Sequence, residues 1–124
     1  MFKTWPRRSF CLPIVCAFAL AGALMTPVFA ASGSFIGVQG ESVRGTASVK
    51  TKTITLSSSF KSSSGPDLYV YLGNSKPSRI IGRLRKLSGG QSYALPKGID
   101  LSKYSAVFIH CKRYNHTYGK ARLR

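Results

Sequence analysis

The chain has 124 residues, and its 19 Lys and Arg against three Asp and Glu give a formal net charge of +16. The three acids, Glu41, Asp67 and Asp100, lie far apart in the sequence. That spacing disfavours the carboxylate pair that general acid–base hydrolases and most glycosidases need. The length suits one small domain, and so basic a chain predicts an anionic partner rather than a hydrolytic activity.

Residues 1–30 have the three parts of a secretory signal peptide. Three basic residues near the start are followed by an uncharged, mostly apolar run at 9–25. A small-residue cleavage site then allows cleavage after Ala30 or Ala31. An uncleaved membrane anchor is the alternative, but it needs about 20 apolar residues, and this run is shorter. We therefore expect cleavage, export to the periplasm or the extracellular space, and no transmembrane segment in the mature chain.

Removal of residues 1–30 leaves 94 residues, 31–124, as a single predicted domain. Three of the 19 basic residues leave with the signal peptide, so the remaining 16 against three acids give +13. Cys111 is the one cysteine of this domain, which excludes an internal disulfide. A lone thiol in an oxidising compartment is either buried and inert or kept for its chemistry.

The first half of the domain consists of short strands divided by turns. Residues 43–49 and 54–60 alternate between apolar and polar positions, which favours a hairpin with a half-solvated outer face. Residues 68–72 are apolar or aromatic on both faces, the pattern of a central strand. Residues 80–87 fit either a strand or a short helix, and their periodicity does not decide between the two.

The second half continues the pattern of strands. A capped helical turn is predicted over residues 100–104, followed by a strongly buried strand at 105–111 in which His110 and Cys111 point to opposite faces. Residues 114–123 alternate once more. Six to eight short strands, separated by turn signals, predict an all-β fold: a small antiparallel sandwich or barrel.

Cys111, His110 and His116 are the side chains with redox or metal-binding chemistry. Thiolate sulfur and imidazole nitrogen both bind transition metals. Because His110 and Cys111 alternate on one strand, they would not hold one ion together, whereas Cys111 and His116 could meet across a turn. The neighbouring cations Lys112 and Arg113 favour a reactive thiolate if the sulfur is exposed, and burial in an apolar sheet favours an inert thiol.

The basic residues are concentrated in two stretches: Arg79, Arg83, Arg85 and Lys86, and then Lys112, Arg113, Lys120, Arg122 and Arg124. They predict a cationic face for anionic envelope polymers or an acidic protein, and a purely solubilising surface is the alternative. Six tyrosines interleaved with these cations would also suit stacking on bases or sugars. We expect most of them in the core or on sheet faces instead, and nucleic acid is not the expected partner.

A run of short motifs, taken in order, is similar to one known family. The sequence Gly-Pro-Asp-Leu-Tyr-Val-Tyr-Leu at 65–72 carries most of the likeness. Residues 45–60 precede it as an opening hairpin, and residues 82–84, 90–96 and 107–121 follow it, the last containing the closing cysteine. Together these motifs resemble the DM-thirteen domain family, also called the electron-transfer DM domain, over nearly the whole mature chain.

The resemblance implies an extracytoplasmic β domain for electron transfer or for oxidative modification of surface proteins. Its partner would be a redox protein or a cell-surface protein, and the chain would be an accessory domain rather than a stand-alone enzyme. Cys111 takes the place of the implied redox centre, as a free thiol or as a ligand to haem or a transition metal. The family often has Trp before this cysteine, where this chain has His110, which makes His110 and His116 the further candidate ligands.

Overall fold

A computed structural model describes residues 29–124 of the chain. The predicted signal peptide falls on residues 1–28, which lie outside the described part, and on the two residues that follow them. Between Phe29 and Arg124 the backbone forms ten strands and one short 3₁₀ turn. Within this range, no helix has the length and apolar character needed to cross a membrane. The predicted all-β class is confirmed.

Eight of the strands form one antiparallel sheet that curls into a nearly closed barrel, in the order β7-β6-β9-β10-β1-β3-β4-β8. The remaining two, β2 and β5, pair with each other. The strands are β1 (Ala30–Gly37), β2 (Val43–Arg44), β3 (Thr46–Lys50), β4 (Thr53–Leu56), β5 (Lys61–Ser62), β6 (Leu68–Gly73), β7 (Pro77–Arg83), β8 (Gln91–Ala94), β9 (Ala106–Cys111) and β10 (His116–Arg122). The 3₁₀ turn (Leu101–Lys103) occupies the predicted capped turn, with Asp100 as its N-cap.

The predicted hairpin is present as β3 and β4, in which Val49 lies opposite Ile54. Its first strand is interrupted at Gly45, whose φ of +103° is a conformation that side chains rarely adopt. A Cβ at Gly45 would also lie 2.5 Å from the Cα of Phe60. The chain therefore breaks into β2 and β3 at a position where only glycine fits.

The core fills the barrel with one face of each strand. β6 lies between β7 and β9, which confirms the central position predicted for residues 68–72. Every residue of β9 is buried. Because this strand alternates, Val107, Ile109 and Cys111 belong to the core, while Phe108 and His110 point outward. The fully buried aliphatic residues of the core are Val49, Ile54, Leu56, Val70, Leu72, Val107 and Ile109.

The barrel closes between β7 and β8 through side chains and not through a strand ladder. The Tyr93 hydroxyl accepts a hydrogen bond from the backbone N–H of Arg85 at 3.0 Å, and the Arg85 guanidinium carbon lies 4.3 Å from the centre of the Tyr93 ring. Burial raises the pKa of Tyr93 above its ordinary value. Residues 80–87 are therefore a strand as far as Arg83, and the chain then turns to form this seam.

Candidate functional site

Cys111 is the last residue of β9, and its side chain points into the barrel with 0% of its surface exposed. It lies opposite Leu68 on β6 and opposite His116 on β10. It is a free cysteine. The sulfur thus occupies one end of the core, with an aliphatic residue on one side and an imidazole on the other.

The hairpin between β9 and β10 brings Cys111 and His116 to the same face. Residues 112–115 form its turn, in which the Asn115 N–H donates to the Lys112 carbonyl oxygen at 3.4 Å. Asn115 has a φ of +50°, the left-handed conformation that asparagine tolerates better than most residues. Directly opposite residues of an antiparallel pair have Cβ atoms about 5 Å apart. The structure therefore places Cys111 and His116 side by side, as their spacing suggested.

His116, the residue opposite Cys111 on β10, contacts Glu41 and Tyr118. Nε2 of His116 lies 3.1 Å from Oε2 of Glu41, and the two side chains are 34% and 27% exposed. The ring of Tyr118 meets that of His116 edge to face, with centroids 5.3 Å apart. Glu41 thus holds the imidazole of the residue that lies opposite Cys111 in the β9–β10 ladder.

Tyr118 reaches this position because β10 contains a bulge. The register of β10 against β9 shifts between Thr117 and Gly119, so Tyr118 has no opposite residue and turns into the core. Its hydroxyl donates to the Ser64 carbonyl oxygen at 3.4 Å, and burial raises its pKa. Gly119 follows the bulge, and a Cβ there would lie 2.6 Å from Cβ of Val43. The strand approaches β2 so closely that only glycine fits.

His110 lies on the opposite, outer face of β9 and is only 6% exposed. Its Nδ1 lies 2.9 Å from the Thr117 hydroxyl and its Nε2 lies 3.1 Å from Oδ1 of Asn115. An amide oxygen accepts from an N–H and a hydroxyl can donate to the other nitrogen, so this arrangement suits the neutral ring. Burial lowers the pKa of His110 in the same direction. The ring of Tyr71 packs edge-on against it at 5.2 Å.

The model of the family described as electron transfer DM13 matches residues 34–123. The chain belongs to this DM13 family. The match confirms the resemblance that the motifs indicated, and it includes Cys111, His110 and His116. No curated protein and no solved structure matches the chain.

The arrangement of donor atoms in this DM13 domain does not fit the cofactors that the resemblance implies. A haem iron needs an accessible axial ligand beside an open apolar cleft, and Cys111 is sealed in the core. Both ring nitrogens of His110 are engaged in hydrogen bonds, and Nε2 of His116 faces Glu41. Between residues 29 and 124, no three His, Cys, Asp or Glu side chains are grouped as a metal would require.

The positive charge of the DM13 domain is almost uncompensated. Within the described part of the chain there are two ion pairs, Arg83 with Asp67 at 2.8 Å and His116 with Glu41. The third acid, Asp100, accepts hydrogen bonds from Ser102, which hold the pKa of its carboxyl below the ordinary value. Of the 16 Lys and Arg in this range, 15 therefore have no carboxylate partner there.

Members of the two basic stretches lie against more than one aromatic ring. Arg83 and Lys112 meet over the ring of Tyr69, so these two stretches do come together at one point. Arg85, by contrast, is held at the barrel seam against Tyr93. At least some of the basic residues are therefore held at two different aromatic rings, Tyr69 and Tyr93.

Sequence reasoning missed four residues of the site. Glu41 is 75 positions from His116, and no local pattern announces that contact. Asn115 and Thr117 flank His116; Asn favours turns, and this signal could have moved Asn115 out of the alternating segment predicted at 114–123, whereas no local signal identifies Thr117. The inward position of Tyr118 depends on the bulge, which the alternating pattern of residues 114–123 does not predict.

Proposed function

We propose that this DM13 domain is an exported electron-transfer domain that works with a redox partner protein through the thiol of Cys111. The description of the family as electron transfer supports the general role. The observation that carries the proposal is the position of the one thiol in residues 31–124, directly opposite His116, which is itself oriented by Glu41. A base beside a thiol, held by a carboxylate, is the arrangement that activates a cysteine.

The chemistry we propose is thiol–disulfide exchange with the partner. Within residues 29–124 the Cys111 thiol forms no hydrogen bond in the closed barrel; when the site opens, it gives its proton to His116, and the thiolate attacks one sulfur of a disulfide in the partner. A new S–S bond forms to Cys111, the partner's disulfide breaks, and the departing thiolate takes the proton from His116. Cys111 is oxidised and one partner sulfur is reduced. A thiol of a surface protein would then attack the partner's sulfur in the mixed disulfide: an S–S bond forms between the surface protein and the partner, the bond to Cys111 breaks, and the Cys111 thiolate takes up the proton that the attacking thiol loses.

Because the sulfur is buried, this chemistry requires a local opening at His116 and Tyr118. We would measure the reaction of the folded protein with 5,5′-dithiobis(2-nitrobenzoic acid) and with glutathione disulfide at increasing urea concentration. We expect modification to be faster than global unfolding, and slower in His116→Ala and Glu41→Gln. Cys111→Ala is the control that should remove the reaction. Modification that occurs only at the rate of global unfolding would contradict the proposal.

A bound prosthetic group is the alternative to the Cys111 thiol as the electron-transferring group. The protein must therefore be purified in its native, exported form to test for such a group. We expect neither a Soret band nor a stoichiometric metal in an absorption spectrum and a metal analysis of the purified protein. A chromophore that is present in the natural chain and lost in Cys111→Ala would transfer the redox role to that group. N-terminal sequencing of the same sample should begin at Ala31 or Ser32 if the signal peptide is cleaved as we propose.

The second candidate function is a basic binding module for anionic envelope polymers or an acidic protein. The observation that favours it is the absence of a carboxylate partner for 15 cations in the described part of the chain. Such binding should weaken steeply with salt, because exposed charges are screened over about 8 Å at physiological ionic strength. Retention on heparin and on vesicles containing anionic lipid should be measured from 50 to 300 mM NaCl. Retention that vanishes near 150 mM NaCl would indicate that the positive charge keeps the protein soluble and does not bind a partner.

A further inference from the structure

The outer side of β9, behind Cys111, carries a group of aromatic rings. His110 lies opposite Tyr69, and Phe108 lies opposite Tyr71, on the paired strands β9 and β6. These four residues are here called the aromatic face. The rings of Tyr71 and His110 are in edge-to-face contact, and Phe108 is buried on this side of the sheet, although it lies outside the barrel core.

Three cations surround these rings, here called the cationic rim: Arg83, Lys112 and Lys120. The guanidinium carbon of Arg83 lies 5.3 Å from the centre of the Tyr69 ring, and Nζ of Lys112 lies 5.6 Å from the same ring. Nζ of Lys120 lies 5.6 Å from the centre of the Phe108 ring. These distances are within the range of cation–π attraction, so the aromatic face holds the cations in place.

The charge of the rim is poorly neutralised by the protein itself. Of the three acids between residues 29 and 124, Asp67 alone contacts the rim, through its ion pair with Arg83. Lys112 and Lys120 have no carboxylate partner in that range. An approaching carboxylate would therefore meet two uncompensated ammonium groups next to partly exposed aromatic rings.

The surface also presents apolar area that a polyanion would not use. Ile80 lies opposite Tyr71 on the edge strand β7 and is 39% exposed. The side chains of Tyr69 and Tyr71 are half-buried. Aromatic residues and Arg are enriched where proteins contact each other, with polar groups at the rim around them. The combination of an apolar centre and a basic border fits a protein better than a polymer of charges.

We infer that the aromatic face and the cationic rim form the docking surface for an acidic partner protein. Carboxylates of the partner would meet Lys112 and Lys120, and an apolar side chain of the partner would cover Tyr71 and Ile80. The inference deepens the proposed function and rests on it for the claim that the partner is a redox protein. Cys111 points to the other face of β9, so the disulfide of a docked redox partner would reach the sulfur around the turn 112–115, which begins at Lys112 of the rim and leads to His116.

The test uses two synthetic peptides of equal length and equal net negative charge as probes. One contains Asp, Glu and Ser, and in the other Leu and Phe replace the Ser residues. Titration into the ¹⁵N-labelled domain, followed by NMR, should give about tenfold tighter binding of the second peptide, because burial of one large apolar side chain suffices for that ratio. The largest shifts should be at Tyr69, Tyr71 and Ile80.

Matched variants separate this surface from the overall charge. Lys112→Glu with Lys120→Glu should weaken binding of the apolar-acidic peptide at least tenfold. Lys50→Glu with Lys97→Glu changes the net charge equally, at exposed positions at the end of β3 and after β8, and should weaken it far less. Ile80→Ser should remove the preference for the apolar peptide without changing any charge. Circular dichroism checks that all variants are folded.

Three results would overturn the inference. Equal affinity for the two peptides would indicate a surface for polyanions, and an equal loss in both double variants would indicate long-range attraction without a defined surface. Shifts centred elsewhere would place the partner on another face. The proposed function fails separately: Cys111→Ala should leave peptide binding unchanged, so an unreactive thiol in a protein that still docks the peptide would refute the redox role and not the docking surface.

Discussion

The replacement of Cys111 by Ala and by Ser measures how apolar the surroundings of the sulfur are. The side chain is fully buried, and between residues 29 and 124 no hydrogen bond to the sulfur is formed. Ala removes the sulfur and leaves a small void, which should cost about 1–2 kcal/mol of unfolding free energy. Ser fills more of the space but buries a hydroxyl without a partner, which costs about 1–3 kcal/mol in addition.

We therefore expect the order natural chain, Ala variant, Ser variant, with the Ser variant destabilised by about 2–4 kcal/mol. For a domain of this size the Ser variant should melt about 10–25 °C below the natural chain. Residues 31–124 contain no tryptophan, so urea unfolding of this part would be followed by tyrosine fluorescence and circular dichroism, in reductant to prevent dimers. A Ser variant as stable as the Ala variant would refute the reasoning, because it would mean that His116 or Tyr118 supplies a hydrogen bond at the sulfur position.

Three further predictions concern the fold around the site. Burial lowers the pKa of His110, so as the pH falls the unfolded chain binds a proton at this residue before the folded chain does. The unfolding free energy should therefore decrease as the pH falls below about 6.5. Urea unfolding from pH 8 to 5 should give a flatter profile for a His110→Gln variant. Gly119→Ala should cost about 2 kcal/mol or more of unfolding free energy, because its Cβ would collide with Val43. Gly90→Ala, where a Cβ meets nothing closer than 3.6 Å, should change the unfolding free energy by no more than about 1 kcal/mol. Equal shifts of the melting temperature in the two variants would contradict this. Tyr93→Phe should cost about 1 kcal/mol because the part-buried hydrogen bond from the backbone N–H of Arg85 is lost. Unchanged stability would show that the barrel seam does not depend on that bond.

The strands were predictable because alternation is a local property of the chain. Residues 68–72 are apolar or aromatic, and residues 106–109 are apolar, at consecutive positions. Such segments are stable only where both faces are covered, which is how β6 and β9 are placed. The same alternation correctly predicted that the side chains of His110 and Cys111 point to opposite faces of the strand. The alternation could not decide whether residues 80–87 form a strand or a short helix, because an edge strand has one covered side and its pattern overlaps with that of a short helix.

The candidate site was predictable only where its members are close in sequence. Cys111 and His116 are joined by a single hairpin turn, so their proximity follows from five residues of spacing. The division of the cations between the surface at Tyr69 and the seam at Tyr93 depends on where β7 ends and on how β8 meets it. Neither position is determined by a local pattern.

The amino-acid sequence by itself determined the all-β class, the central strands, the opposite orientation of His110 and Cys111, the large positive charge and the likeness to the DM13 family. Each of these depends on residue type or on a period of two, which a short segment contains completely. The tertiary structure alone decided that Glu41 reaches His116, that Tyr118 turns inward at a bulge, and that aromatic rings and cations share one outer face. Those contacts join strands far apart in the chain, and their geometry is determined by the closure of the barrel as a whole.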